Sequence, residues 1–250
     1  MYYGPKVVVD NLVFSFDAAN DKCTDSDNDV SSMRDTGPIA HSSRSDRGMT
    51  ATGNTSAISI TTTDGAETLD LGVTGANSTT DATNYNNRMV LDDDILFADQ
   101  AAWSYEFWAK PRASAEHTYL SLCGRGATSP WLIWQHGSTT FYPRYRDNNG
   151  NYYRDSSSTN VSNPDNWHQL VFTADTSRNI GFYVDGAILG GTTQAADTQM
   201  QTNRIGAGYS SGGNKYGFQG VLACVRIYSK TLSAAEVLQN FNATKGRFGL

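Results

Sequence analysis

Between Asn166 and Asp185 the chain reads NWHQLVFTADTSRNIGFYVD, two stretches with apolar side chains at alternate positions, and Asp185-Gly186 follows as a tight turn. A period of two is what a strand with one buried face requires, and Asp-Gly suits a turn because both residues tolerate a positive φ. Trp103 to Lys110 (WSYEFWAK) repeats the pattern, with Trp103, Tyr105, Phe107 and Ala109 on one face and Ser104, Glu106, Trp108 and Lys110 on the other. A late strand puts Val221, Ala223, Val225 and Ile227 on its apolar side. Strands at this spacing, with almost no helical periodicity before the C-terminal end, predict an all-β antiparallel β-sandwich, a jelly roll.

Asn11 to Asp17 alternates Leu12, Phe14 and Phe16 against polar neighbours, and Ser56 to Thr61 resumes alternation after a long polar run. Asp147 to Asn151 (DNNGN) marks a hairpin turn between Thr139–Arg146 and Asn151–Arg154. One helix is expected from Ser233, where Ser-Ala-Ala-Glu forms a capping box closed by Glu236, and Leu232 and Val237 occupy the staple positions. Val237, Leu238 and Phe241 are its expected apolar stripe. The polar run over 18–55 shows no apolar periodicity and reads as a long loop or contact arm in one domain spanning 1–250.

A net charge of -6 and the lack of a concentrated basic face argue against nucleic acid as a partner, because displacing counterions from phosphate needs such a face. The nearest approach is Arg144, Arg146 and Arg154, interleaved with Tyr142, Tyr145, Tyr152 and Tyr153. Three cysteines without CxxC spacing indicate neither a disulfide framework nor a zinc site. No apolar run reaches membrane length and no leader-like segment opens the chain, so membrane insertion is not expected and synthesis in a cytoplasm is.

WSYEFWAKP, NWHQLVFTADTSRNIGFYVDG and GFQGVLACVRIYSKTLSAAEVLQNFNA together resemble the concanavalin A-like lectin/glucanase superfamily, in particular its laminin-G-like domains. NLVFSFDAAN and the ending NATKGRFGL resemble the versions found in tailed-phage virion proteins. The resemblance implies a concanavalin A-like sandwich with one short C-terminal helix. It also implies a non-enzymatic structural or adhesion role on the exterior of a tailed-bacteriophage virion, as a fibre, neck or decoration protein. Its partners would be other virion proteins, further copies of itself and a cell-surface glycan. The alternative is a carbohydrate-binding module recognising such a glycan, and a glycoside hydrolase is the third reading.

Glucanases on this fold use paired carboxylates on alternate positions of one strand, E-x-D-x-x-E or E-x-D-x-E, to protonate the leaving oxygen and to attack or activate water. No such pattern occurs: Glu106 is the only acid of its strand, with Trp108 where a second would stand. The candidate glycan site is Trp131, Trp134, His136, Tyr142, Arg144 and Tyr145, since sugars stack on aromatic planes while polar groups satisfy their hydroxyls. Alternation along two adjacent strands would send about half of these into the core. No cofactor is required. Asp25, Asp27 and Asp29 have the alternate spacing that suits a calcium ion, although Val30 and Thr36 stand where an EF-hand loop has glycine and glutamate.

Overall fold

The structure, a computed structural model, describes residues 6–20, 23, 33–34, 48–73, 87–112, 119–125, 130–136, 141–154, 161, 163, 165–211 and 214–250. Among these, two antiparallel sheets stack into the expected sandwich. In spatial order the first contains β14 (Ala187–Gln194), β13 (Asn179–Val184), β12 (His168–Ala174), β7 (Trp103–Pro111), β18 (Gly220–Tyr228), β5 (Ala66–Asp70) and β4 (Ser59–Thr63). The opening strand β1 (Leu12–Asp17) pairs with the remaining length of β18. The second sheet runs β11 (Tyr152–Arg154), β10 (Phe141–Arg146), β9 (Trp131–His136), β8 (Tyr119–Gly124), β15 (Met200–Ile205), β6 (Arg88–Phe97), β3 (Gly48–Thr52) and β2 (Met33–Arg34). A separate hairpin joins β16 (Ala207–Ser211) to β17 (Asn214–Gly217), and helix α1 (Ala234–Thr244) follows β18.

The alternation in WSYEFWAKP builds the core. Trp103, Tyr105, Phe107 and Ala109 are buried between the sheets, where Trp103 meets Tyr105 edge-on at 5.5 Å and Phe107 meets Phe172 at 6.2 Å. Leu132, Trp134, Tyr145, Met89 and Leu91 close the core from the second sheet. Burying each large apolar side chain contributes roughly 1.5 to 3 kcal/mol. Asp185 and Gly186 adopt φ of 51° and 82°, the left-handed pair that an Asp-Gly turn supplies, and join β13 to β14.

Several expectations are corrected. The apolar side of β18 changes phase at a bulge between Leu222 and Cys224, so Leu222, Val225 and Ile227 enter the core while Val221 and Ala223 pack on the opposite face. Only a break in register can do this, because each bulge flips the side chains that follow it. Thr55–Ala57 is a short 3-10 turn, and the strand predicted over Ser56–Thr61 starts at Ser59. The polar run over 18–55 is not without structure: Gly48–Thr52 pairs with β6 and buries Met49 and Ala51. Most of the rest of that run lies outside the described residues.

The helix cap forms as predicted: Ser233 Oγ accepts from the Glu236 amide at 3.3 Å, and Glu236 returns a bond from the Ser233 amide at 2.9 Å. Leu232 and Val237 are both buried in one cluster. The stripe differs from the expected one. Val237, Asn240 and Thr244 are buried and Phe241 stacks on Trp108 at 5.8 Å, while Leu238 is 47% exposed. At 100° per residue the docked face runs 237, 240, 241, 244, and Leu238 lies a quarter-turn away.

Beneath α1 the outward face of β7 is also buried, and it carries a carboxylate. Glu106 is fully buried; its Oε1 accepts from Arg226 Nη1 at 2.8 Å and Gln169 Nε2 at 2.9 Å, and its Oε2 from Asn240 Nδ2 at 2.8 Å. Arg226 stands directly opposite it on β18. Asn240 Oδ1 accepts the Val8 amide at 2.7 Å, extending the network to the N-terminal segment. A second anchor is Phe248, which lies 4.4 Å from Trp108 and 4.5 Å from Trp167.

Two stability outcomes follow from this arrangement. Glu106→Gln leaves the Arg226 charge buried without its counter-ion and should lower unfolding free energy by about 3 to 5 kcal/mol, read as a shifted denaturant midpoint; an unshifted midpoint contradicts the network. Ser233→Ala should cost about 1 kcal/mol, whereas Leu238→Ala should stay within about 0.5 kcal/mol as an exposed substitution; equal losses in the two variants would place the docked stripe wrongly.

Candidate functional site

The outer face of the first sheet is covered by α1 and Phe248; on the outer face of the second sheet Trp131 and Ile133 of β9 are buried, and the accessible part is the β10–β11 edge. Its chemistry follows from parity. On β10, Pro143 and Tyr145 point inward and are buried, which turns Tyr142, Arg144 and Arg146 outward, all half-buried. On β11, Tyr152 and Arg154 are exposed on the same face.

Asp147 fixes the hairpin that aligns these strands. Its carboxylate accepts from the Asn151 amide at 2.7 Å, from Asn151 Nδ2 at 3.0 Å and from Tyr153 Oη at 3.0 Å. Gly150 supplies the left-handed turn position with φ of 90°. Beneath the hairpin, Tyr145 Oη donates to the carbonyls of Asp197 and Gln199 at 3.2 and 3.0 Å, and burial holds its phenol well above the usual tyrosine range. The resulting register sets Arg146 opposite Tyr152 and Arg144 opposite Arg154.

On that frame the outward groups interleave. The Arg144 guanidinium lies 4.4 Å from the centre of the Tyr152 ring, Arg146 lies 5.5 Å from the same ring, and Arg154 lies 5.0 Å over Tyr142. Each cation–π contact contributes about 0.5 to 1 kcal/mol at exposed positions. Together they hold planar aromatic and guanidinium groups in place before any ligand arrives. Such a surface offers ring faces to sugar C–H groups and guanidinium donors to hydroxyl or acidic oxygens.

Register extends the face across the sheet. Arg146 is opposite Trp131, Trp131 opposite Gly124, and Gly124 opposite Arg204. Arg204 and Arg88 each precede a core residue, Ile205 and Met89, and are turned away from the core. Burial lowers the pKa of both, and the Arg204 charge lowers that of Arg88 further, which puts the two cations near each other.

Of the six predicted glycan-site residues, Tyr142 and Arg144 are on this face. Trp131, Trp134 and Tyr145 are 1%, 0% and 0% exposed and therefore offer no stacking plane to a sugar. Trp134 and Tyr145 are inward members of their strands; Trp131 is an outward member buried on its own face. His136 ends β9 opposite Phe141, and its side chain lies outside the described ones. Tyr152, Arg146 and Arg154 share this face although they were not among those six. Their parity is visible in the sequence, whereas Arg88 and Arg204 join only through long-range strand pairing.

Asp25, Asp27 and Asp29 lie outside the described residues. Asp92 to Asp94 sit in a bulge of β6, where Asp94 pairs with Arg125 at 3.1 Å and accepts from Gln201 at 2.6 Å. Among the described residues no group of three His, Cys, Asp or Glu is placed to hold a metal, and no helix is long and apolar enough to cross a membrane. Glu106, the acid of the central strand, is sealed beneath α1 by its three side-chain donors.

Comparison with known proteins agrees with this architecture. Domain 4 of AbnA, an extracellular GH43 arabinanase from Geobacillus stearothermophilus solved with arabinotriose, superposes with a TM-score of 0.62 at 17% identity, covering 93% of this chain and 98% of that one. The binding domain of Paraclostridial Mosquitocidal Protein 1 gives 0.57 at 14% identity, covering 93% and 52%. Trypanosoma rangeli sialidase in complex with sialic acid gives 0.59 at 13% identity, covering 98% and 36%. The fold is thus shared by domains of glycosidases and by binding domains, and identities this low establish the fold alone. A search of curated proteins gives no match. The laminin-G-type family model described as concanavalin A-like lectin/glucanases matches residues 82–238, more than half of the sequence, and the chain belongs to that superfamily.

Proposed function

We propose that this chain is a non-catalytic adhesion module that binds a glycan on the outer face of its second sheet. The observation that carries the reading is the pre-ordered layer of Tyr142, Arg144, Tyr152 and Arg154, with guanidinium groups 4.4 and 5.0 Å from the ring centres. Ordering side chains before binding reduces the entropic cost of capturing a flexible sugar. The burial of Glu106 supports the absence of hydrolysis, since the one acid of the central strand is held by Arg226, Gln169 and Asn240.

The setting we assign is the exterior of a tailed-phage particle, as a fibre, neck or decoration component. It rests on the resemblance carried by NLVFSFDAAN and NATKGRFGL, two segments that meet in the fold through Arg247 Nη1 and Asp17 Oδ2 at 2.7 Å. Neighbouring virion proteins and further copies of this chain are the partners that setting entails.

On a glycan array the purified chain should bind a subset of sugars, and Tyr152→Ala should weaken that binding by about tenfold or more, roughly 1.4 kcal/mol, while the chain stays folded and loses only the two cation–π contacts to Arg144 and Arg146, about 1 to 2 kcal/mol of stability. Release of reducing sugar from bound oligosaccharides should stay at background. Hydrolysis, or array binding indifferent to Tyr152, would refute the module as described. Mass spectrometry of particles from a host carrying this gene should recover the chain; particles lacking it would refute the setting alone.

A further inference from the structure

The edge of a sheet presents backbone amides and carbonyls to any extended strand, and folded proteins guard such edges with charges, bulges or very short strands. The edges of the two large sheets differ in this respect. β14 pairs with β13 through a register shift between Gly181 and Tyr183, Gly190 and Gly191 hold φ of 81° and 133°, and Thr193 Oγ1 donates to the Arg154 carbonyl at 3.1 Å. β11 has three residues and carries exposed Arg154, and β2 has two. On β1 the Asp17 amide is taken by Cys23 Sγ at 3.4 Å. β4, the terminal strand of the first sheet, has none of these devices. It reads SITTT, without a charge or a proline, and it pairs with β5 residue for residue without a shift. Isoleucine and threonine both favour a pleated strand.

The hairpin decides which backbone groups of β4 are free. Asp64 and Gly65 form its two-residue turn with φ of 52° and 82°, which makes Thr63 and Ala66 the hydrogen-bonded flanking pair. Thr63, Thr61 and Ser59 therefore direct their amides and carbonyls to β5. Ile60 and Thr62 direct theirs outward, and no hydrogen bond among the described residues takes them. Thr62 is exposed, and Ile60 is half-buried against the core at this end of the sandwich. We propose that β4 pairs antiparallel with β4 of a second copy of this chain, across a two-fold axis at Thr61, and so joins the two first sheets into one. In that register the outward groups of Ile60 meet those of Thr62 in the other copy, and the symmetry repeats the exchange. The two Thr61 residues face each other on the axis, and threonine pairs directly opposite across strands are favourable. No charge on the strand opposes its own copy, and the nearest ones, Asp64 and Lys110, pair with each other. The Thr193–Arg154 bond places β11 on the β14 side of the sandwich, away from β4. The two β10–β11 edges then stand at opposite ends of the joined sheet, about 60 Å apart at the usual strand spacing. A dimer of this form presents the proposed glycan surface twice, which raises avidity without a new contact; the pairing itself does not depend on the glycan reading.

Sedimentation equilibrium of the full chain tests the pairing. The average mass should rise from one copy toward two between about 1 and about 300 µM, the range suited to an edge contact smaller than a standard interface. Thr62→Pro removes an outward amide and Thr61→Lys sets two cations against each other on the axis, so each should keep the chain monomeric at the highest concentration. Thr192→Lys, the same change on an exposed residue of the guarded β14 edge, should leave the dimer as it is. Residues facing each other in a non-hydrogen-bonded pair lie about 4.5 Å apart at Cα, within disulfide reach, so Thr61→Cys should give a covalent dimer on air oxidation and Ile188→Cys on β14 should not. The three native cysteines are buried and do not compete. Melting temperatures establish that each variant is folded, and the Thr61→Cys cross-link decides should the proline and lysine variants unfold. A chain that stays monomeric throughout, a dimer that Thr61→Lys and Thr62→Pro leave intact, or a cross-link no faster at position 61 than at 188 overturns the inference. Each of these results leaves glycan binding to be judged by the array alone.

Discussion

The structure depends on a carboxylate that water does not reach. Glu106 occupies the centre of the first sheet, on the face turned away from the core, and accepts from donors on β12, β18 and α1. A buried charge is tolerated only when its pairing and hydrogen bonds are complete, so these three elements have to be assembled around it together. Asn240 carries the requirement to the N-terminal segment through the Val8 amide, and Tyr228 Oη reaches the Val8 carbonyl at 3.2 Å. What the network adds beyond packing is a defined position for α1, since apolar contacts alone would allow the helix to slide.

On the second sheet the accessible outward groups are at the β10–β11 edge, with Tyr152 and Arg154 exposed and Tyr142, Arg144 and Arg146 half-buried. The second sheet has no helix over its outer face among the described residues, and its alternation yields apolar side chains inward and a layer of tyrosine and arginine outward. The same Asp147 carboxylate that fixes the β10–β11 turn also holds Tyr153, whose hydroxyl accepts the Ala196 amide at 2.9 Å. The hairpin bearing the site is therefore tied to the segment before β15. Rigid support of this kind is what lets planar groups act as a recognition surface.

The all-β class, the antiparallel pairing, the Asp-Gly turn and the capped helix were legible because each depends on residues within a few positions of one another. The inward ring column of Trp103, Tyr105 and Phe107 was legible for the same reason. Two things were not. The phase change in β18 comes from a bulge, which depends on the partner strand, so Val221 and Ala223 were assigned to the wrong side. The candidate surface was half legible: aromatic content lies between Trp131 and Tyr153, but strand direction decides which of those rings are buried. Trp134 and Tyr145 proved to be core, and Trp131 is covered on its own face. Arg88 and Arg204 lie far from that segment in sequence and reach it only through the order β9–β8–β15–β6.

The central claim is that this sandwich works from the outer face of its second sheet while the first is closed by Glu106 and α1. Hydrogen–deuterium exchange of the chain with and without the tightest glycan from the array tests it most directly. Protection on binding should appear over 141–154 and around Arg204, with α1 and β18 unchanged. Protection centred on α1, β7 or β18 would show that the ligand enters beneath the helix, and the account of both faces would be wrong.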